Sequence, residues 1–365
     1  MIQKLVWENV KHRPLRTFLS ALLIGIPVTL VLTLAGLSKG MIEDNNKRIR
    51  GVGADIMIRP KDSNFMNLGT QGMNDKIVNL VRQQPHVRLA TGILVHSLGS
   101  MFTSVAGIDL NEFNAMSGGV EYVAGGPFHR PDEVIIDDFY AKEQKKHVGD
   151  ELDLLHQKMR ISGIVKPGKL NRVFMNLRSL QDLVGSRNGV NLIYAQVDRP
   201  ENIKTVIDDL KAQLVDYPIY SMDEATALYS YDSLPALRMF SNIVVGIAIF
   251  IGFAVVCLSM YMAVLQRTRE IGILKSLGAS RWYVLSIILR EAVLLAIVGT
   301  ILGIGMSYAA KWTIQTFAPA SFPPAVDPSW WPIAAVIALI GAVLGALYPG
   351  MHAAGMDPIE ALSYE

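Results

Sequence analysis

The chain has 365 residues, 51% of them hydrophobic, with 34 basic against 32 acidic side chains and a formal net charge of +2. That is too apolar for an ordinary soluble domain and too polar for a pure helical bundle, so a few membrane spans and a sizeable soluble part are expected. The near-neutral balance, with no basic stripe interleaved with aromatics, excludes a nucleic-acid binder, and the single cysteine, Cys257, excludes an intrachain disulfide or a cysteine-based metal site.

Residues 1–13 predict an amphipathic helix lying in the inner membrane interface: Ile2, Leu5, Val6, Asn9 and Val10 share one face, Lys4, Glu8 and Lys11 lie elsewhere, and Trp7 is an interfacial residue. Residues 14–38 predict the first span. No charge occurs from Thr17 to Ser38, which is enough for the roughly 20 residues a crossing needs. Pro27 is expected to kink it, tolerated because neighbouring helices satisfy freed carbonyls. The basic flank at Lys4, Lys11, Arg13 and Arg16 places the N-terminus in the cytoplasm. The apolar run from Leu15 to Leu37 has no small-residue cleavage site, so no cleavable signal peptide is read.

Residues 39–235 predict one large extracytoplasmic α+β domain. Strand patterns recur at Ala54–Arg59, Met101–Ala106, Glu133–Ile136, Leu152–Leu155, Met159–Val165, Val173–Met175 and Leu192–Val197. Helical patterns alternate with them at Asn74–Gln83, Phe139–His147 and Glu201–Leu214; the last has Ile203, Val206, Ile207, Leu210 and Leu214 on one face. A domain of this size buries its own core.

Three further spans follow: 236–266 running inward, 281–311 running outward, and 329–352 running inward, with an outer Pro-rich loop at 312–328 and a cytoplasmic tail at 353–365. Asp327 suits the cap and Pro328 the first turn of the last span. Trp7 and Trp282 fall at the inner interface and Trp312, Trp330 and Trp331 at the outer one, where amphipathic rings prefer to sit. Arg290 and Glu291 lie inside the third span, where lipid exposure would cost about 2.5–3.5 kcal/mol per charge, so a protein-lined position is expected. Small residues point to close helix contacts: Gly299 and Gly303 in the third span, Gly341 and Gly345 in the fourth.

Residues 267–280, between the second and third spans, predict a short cytoplasmic helix. It carries Arg267, Arg269 and Lys275, with Arg281 just beyond, against one acid, Glu270. Gly278 suits its C-terminal cap and Ser280 the N-cap of the next helix. Ile271, Leu274 and Leu277, with Ile273 beside them, form an apolar stripe that needs something to lie against.

Catalytic constellations are not evident. No G-x-x-x-x-G-K-[ST] occurs, so the chain is not expected to hydrolyse ATP alone, and neither H-E-x-x-H nor G-x-S-x-G is present. His86, His96, His129, His147 and His156 lack ligand spacing. Met101, Met116, Met159 and Met175 read as packing rather than as metal or haem ligands. No catalytic, cofactor or metal residues are assigned.

The stretch Arg267-Thr-Arg-Glu-Ile-Gly-Ile-Leu-Lys-Ser-Leu-Gly-Ala-Ser280 closely resembles the coupling motif of the MacB/FtsX-like permeases, also called type VII ABC transporters. Tyr348-Pro349-Gly350, Ala353-Ala354 and Asp357-Pro358-Ile359-Glu360-Ala361-Leu362 resemble the family's C-terminal signature, and Gly125-Gly126-Pro127-Phe128, Asp132-Glu-Val-Ile-Ile-Asp137 and Val148-Gly149-Asp150 resemble the MacB-type periplasmic domain. The resemblance implies four spans, both termini in the cytoplasm of an inner-membrane protein, and an outer domain of porter-like and Sabre-like parts, the insert falling between about 85 and 125. It also implies that 267–280 is a coupling helix docking on a cytoplasmic ABC ATPase dimer, through Arg267, Glu270, Lys275, Gly278 and Arg281. ATP and Mg would be held by that partner, and none by this chain. Movement would pass through the spans to the outer domain, a mechanotransmission. A homodimer, or a pair with a paralogous permease, is implied, together with a periplasmic adaptor and outer-membrane channel as in the MacB or DevC type. Lipoprotein release, haem export and an FtsX-type signalling or scaffold role are the alternatives, and span count excludes the ten-span bacitracin-type permeases.

Overall fold

The computed structural model describes residues 14–63, 72–100, 103–228, 235–266, 268–317 and 324–355. The amphipathic stretch at 1–13, Arg267 and the signature at 357–362 lie outside them. The chain divides into two compact units, one drawing on residues 1–40, 235–318 and 324–365, the other on 41–234.

Helix α1 runs Pro14–Arg50 without a break, twelve residues beyond the uncharged stretch. The extension is charged but helical for a local reason: Asp44 pairs with Arg48 one turn on, and Lys47, Arg48 and Arg50 occupy the last turn, where the helix dipole favours cations.

In chain order there follow β1 Ile56–Ile58, β2 Met73–Asn74, α2 Lys76–Arg82, β3 Val87–Ser100, β4 Thr103–Ile108, α3 Leu110–Ser117, β5 Tyr122–Gly125, β6 Glu133–Asp137 and α4 Asp138–Gln144. Next come β7 Glu151–Leu154, β8 Gln157–Val165, β9 Val173–Asn176, α5 Leu177–Leu183, β10 Gly189–Val190, β11 Leu192–Val197, α6 Ile203–Gln213, β12 Ile219–Ser221 and α7 Met222–Ala227. Ten strands form one mixed sheet, ordered β12-β1-β11-β3-β4-β9-β6-β8-β5 with β7 on β8, while β2 and β10 pair separately.

The sheet has two parts sharing β3. One is wholly antiparallel, with Ile56 opposite Ala195 and Tyr194 opposite Thr91; Val78, Val81, Val206, Ile207 and Leu210 of α2 and α6 cover it. The other is mixed, with β4 parallel to β9 and β6 parallel to β8, covered by Tyr140 and Ala141 of α4 and Leu180 of α5. A third cluster packs Ile49 of α1, Phe113 and Met116 of α3, and Met222 and Ala225 of α7. The two-part layout therefore does not follow the boundaries expected from the resemblance. Residues 85–125 form no separate body, because β3 and β4 sit in the middle of the sheet and β4 is fixed there by β9, some 70 residues later.

The remaining helices are α8 Pro235–Leu265, α9 Thr268–Ser276, α10 Arg281–Phe317 and α11 Trp330–Gly355. Among the described residues four helices, α1, α8, α10 and α11, are long and apolar enough to cross a membrane. A Cβ at Gly299 would lie 2.8 Å from Ile24 and 2.9 Å from the Ala21 carbonyl, and one at Gly303 2.7 Å from the Val28 Cβ, so these glycines let α10 touch α1. Gly345 faces α8, where a Cβ would come within 2.8 Å of the Phe253 carbonyl; Gly341 faces the same residue more loosely, 3.9 Å from its nitrogen. All four make these contacts inside one chain. The segment before α11 is strapped to α1: Ala325 N–H donates to the Gly36 carbonyl at 3.0 Å, and Lys39 pairs with Asp327 at 3.0 Å.

Candidate coupling site

Helix α9 is fastened at both ends. At its start the buried Thr268 hydroxyl donates to the carbonyls of Val264 at 3.2 Å and Leu265 at 2.9 Å, which a helix end leaves without intrahelical partners. Near its end Lys275 Nζ donates to the Ala354 carbonyl at 3.0 Å, placing a cation at the negative end of α11. Between them Ile271 is buried in a core that includes Val264, Val284, Ala353 and Ala354.

The turn out of α9 is equally determined. Gly278 has φ +92°, its N–H donates to the Lys275 carbonyl at 3.0 Å, and Ala279 N–H donates to the Leu274 carbonyl at 3.0 Å. This paired closure with a left-handed glycine is a Schellman motif. Ser280 then caps α10, accepting from Tyr283 N–H at 3.2 Å.

The outward face of α9 and the adjoining turn is different in kind. Ile273 is 45% exposed, Leu277 80% and Trp282 78%, while Arg269, Glu270 and Arg281 are exposed around them. Arg281 stands in the first turn of α10, where the helix dipole disfavours a cation, so stability of α10 does not account for it. Beside this face a cavity of about 70 Å³ is lined by Met260, Ala263, Val264, Ile271, Leu274, Val284 and Ile288, with Glu270 and Glu291 as its charged members.

The apolar stripe expected on α9 is thus divided. Ile271 packs on its own bundle and Leu274 lines the cavity, whereas Ile273 and Leu277 face outward. Of the residues expected to dock a partner, Glu270, Gly278 and Arg281 lie along the exposed side, Lys275 is half-buried and bonded to α11, and Arg267 is outside the described residues. Of the charged pair in α10, Glu291 is half-buried at the cavity and Arg290, one residue before it on the turning helix, is exposed on the single chain. Thr268 is the residue that the sequence reading misses; its signal is a hydroxyl one helical turn beyond Val264. Among the described residues no three His, Cys, Asp or Glu side chains are grouped to hold a metal ion.

Residues 17–213 match the MacB-like periplasmic core domain, and residues 242–358 match the FtsX-like permease C-terminal domain. The chain belongs to the MacB/FtsX-like ABC transporter permeases. An ABC transporter permease of Bacillus subtilis (strain 168), YknZ, is 30% identical to this permease over 60% of its length and 55% of YknZ. The macrolide export ATP-binding/permease protein MacB of Escherichia coli (strain K12) is 24% identical over 99% of this permease and 60% of MacB. The permease therefore spans little more than half the length of the curated relatives it matches. The solved periplasmic region of MacB from Actinobacillus actinomycetemcomitans covers 49% of it at 16% identity, with a TM-score of 0.39. Together with its four apolar helices, membership makes this permease a multi-pass membrane protein whose large α+β domain lies between the first two spans.

Proposed function

We propose that the permease is the membrane subunit of a type VII ABC transport complex, driven by an ATPase carried on another chain. The observation that supports this best is α9: a short helix tied at both ends to the bundle, with Ile273 and Leu277 bare and Arg269, Glu270 and Arg281 around them. A rigid element with an apolar patch inside a polar rim is the anatomy of a protein-docking surface. Being anchored, it passes a push to the spans rather than yielding to it.

On this reading the partner ATPase dimer holds ATP and Mg, and its binding and hydrolysis of ATP rock α9. The spans carry that movement to the outer α+β domain as mechanotransmission, which does not require cargo to pass through the bilayer. The chain supplies no catalytic group. It sits in the inner membrane with both termini cytoplasmic, in contact with lipid, as a homodimer or paired with a paralogous permease. A substrate is extruded on the outer side with a periplasmic adaptor and an outer-membrane channel; the MacB relatives are named macrolide export proteins.

Leu277→Glu and Glu270→Arg change exposed side chains, so both proteins are expected to remain folded while losing at least about tenfold in ATPase binding, the scale of an interface hot spot. Gly278→Pro, which the φ of +92° forbids, is expected to abolish stimulation of the ATPase. Co-purification and stimulation at wild-type levels in all three variants would show that α9 is not the docking element. Orientation has its own measurement: in a Cys257→Ala background, Leu277→Cys is expected to resist a membrane-impermeant maleimide in intact cells and to react once the inner membrane is opened. Labelling in intact cells would reverse the topology.

A further inference from the structure

Within the α/β unit, an ionic cluster is buried where the last turns of α1 meet the sheet. The Arg172 and Asp137 side chains are 4% and 3% exposed, and Arg172 Nη1 lies 3.7 Å from Asp137 Oδ2. Arg172 Nη2 lies 3.4 Å from Asp44 Oδ2 of α1, and Asp44 also pairs with Arg48. The guanidinium sits 5.7 Å from the Phe139 ring centre. Backbone bonds frame the cluster: Asp137 N–H donates to the Arg172 carbonyl at 2.7 Å, and Leu170 N–H donates to the Arg48 carbonyl at 2.9 Å. Asp137 is at the same time the N-cap of α4, accepting from Tyr140 N–H at 2.7 Å. Three elements meet here: the end of α1, the junction of β6 with α4, and the residues leading into β9.

The charged groups facing Asp137 are Arg172 from the approach to β9, and Arg48 and Asp44 from α1; Glu143 of α4 faces Arg172. With every group ionised, two arginines are set against three carboxylates around the buried Arg172–Asp137 pair. One proton on a carboxylate removes the excess.

We propose that Asp137 is a proton-operated catch: protonated, it holds the end of α1 firmly against the sheet, and ionised, it loosens that contact. Burial pushes the Asp137 carboxyl up to about 6, and Asp44 adds to the rise, while Tyr140 N–H, Arg172 and Arg48 oppose it. A carboxyl whose value is raised in the packed arrangement favours that arrangement at low pH, and the advantage is lost as pH climbs through about 6. Acid therefore tightens this joint, the reverse of the usual carboxylate ion pair. Only the source of the proton, the outer compartment, rests on the proposed topology.

Hydrogen exchange on the purified full-length chain, corrected for the intrinsic pH dependence of exchange, reads the joint directly. Backbone amides of 41–50 and 166–176 are expected to be about tenfold better protected near pH 5 than near pH 7.5. Asp137→Asn keeps the helix cap and mimics the protonated form, so its protection should stay at the acid level at both pH values. Asp44→Asn removes a neighbour that raises the Asp137 carboxyl, so the midpoint should move to lower pH. Protection that does not change with pH in the wild-type chain, or a full pH response in Asp137→Asn, overturns the proposal. If Asp137→Asn does not fold, an Asp44→Asn midpoint that stays put or rises overturns it equally. None of these readouts involves an ATPase, so they fail or succeed separately from the coupling assignment.

Discussion

Replacing Arg172 with alanine is expected to be among the most damaging single changes in the α/β unit, lowering its stability by about 3–5 kcal/mol at neutral pH. The reason is what remains. Arg172 faces Asp137 at 3.7 Å and Asp44 at 3.4 Å, and burial already pulls its own pKa down. The buried pair contributes little net stability, because taking both charges out of water offsets their attraction. Removing one partner leaves the other uncompensated, which is the costly case. A domain stable by 5–15 kcal/mol has little room for that loss, and the melting temperature of the full-length chain is expected to fall on the order of 10 °C at pH 7.5. The deficit has a sign with pH. Without the guanidinium, only Tyr140 N–H and Arg48 still oppose protonation of Asp137, whose carboxyl burial pushes up to about 6, so the variant should recover as pH falls through that value. Asp137→Asn added to Arg172→Ala should restore part of the loss at pH 7.5. A variant melting within about 2 °C of the parent at pH 7.5 would remove the cluster from any structural role.

That cluster shows what was and was not readable in advance. Asp44, Asp137 and Arg172 are far apart in the chain, and each is ordinary where it stands: a charge on a helix, a cap, a basic residue before a strand. The pairing of β6 with β9 brings Asp137 beside Arg172, and the bond from Leu170 N–H to the Arg48 carbonyl fixes the end of α1, with Asp44, against them. Apolar runs behave differently, since their length alone decides whether they can cross a bilayer, and the four long helices coincide with them. α1 outran its run because a charged helix is stabilised by the local Asp44–Arg48 pair, which periodicity of apolar residues does not see. The longest strand, β3, was missed for the opposite reason. Ala90 to Leu94 are buried on both faces, so no polar alternation marks them as strand. α3 and α7 could have been found from their starts: Asp109 caps α3, with Glu112 three residues on, and Ser221 and Glu224 form a capping box. On α9, spacing identified an apolar stripe but could not say which side the bundle would take; Thr268 and Lys275 decide that, by bonds to α8 and α11.

Gly303→Leu is expected to have the largest effect in the membrane unit. Apolar side chains are as well solvated by lipid as by one another, so helices in a bilayer hold together by close van der Waals packing and interhelical hydrogen bonds. At Gly303 both are present. A Cβ there would meet Val28 Cγ1 at 2.6 Å and the Gly25 carbonyl at 2.9 Å, and the Gly303 carbonyl accepts from Thr29 Oγ1 at 3.1 Å. The side chain of Val28 has little freedom to turn, being β-branched, and the Gly25 carbonyl is backbone, so the only relief is for α1 and α10 to separate. Separation also breaks the Thr29 bond and the neighbouring contact of Gly299 with Ile24. Overpacking costs typically about 1–3 kcal/mol; here several contacts fail together, and the detergent-solubilised chain is expected to lose its cooperative melt. Gly305→Leu is the matched control, two residues along the same helix, with no atom within 4 Å of its Cβ position; lipid or detergent should accept that leucine at no cost. Equal thermal stability of the two variants would mean that α1 and α10 do not touch at these glycines. Because the contact lies within one chain, the loss should appear in the melt of the monomer, with self-association affected only as a consequence.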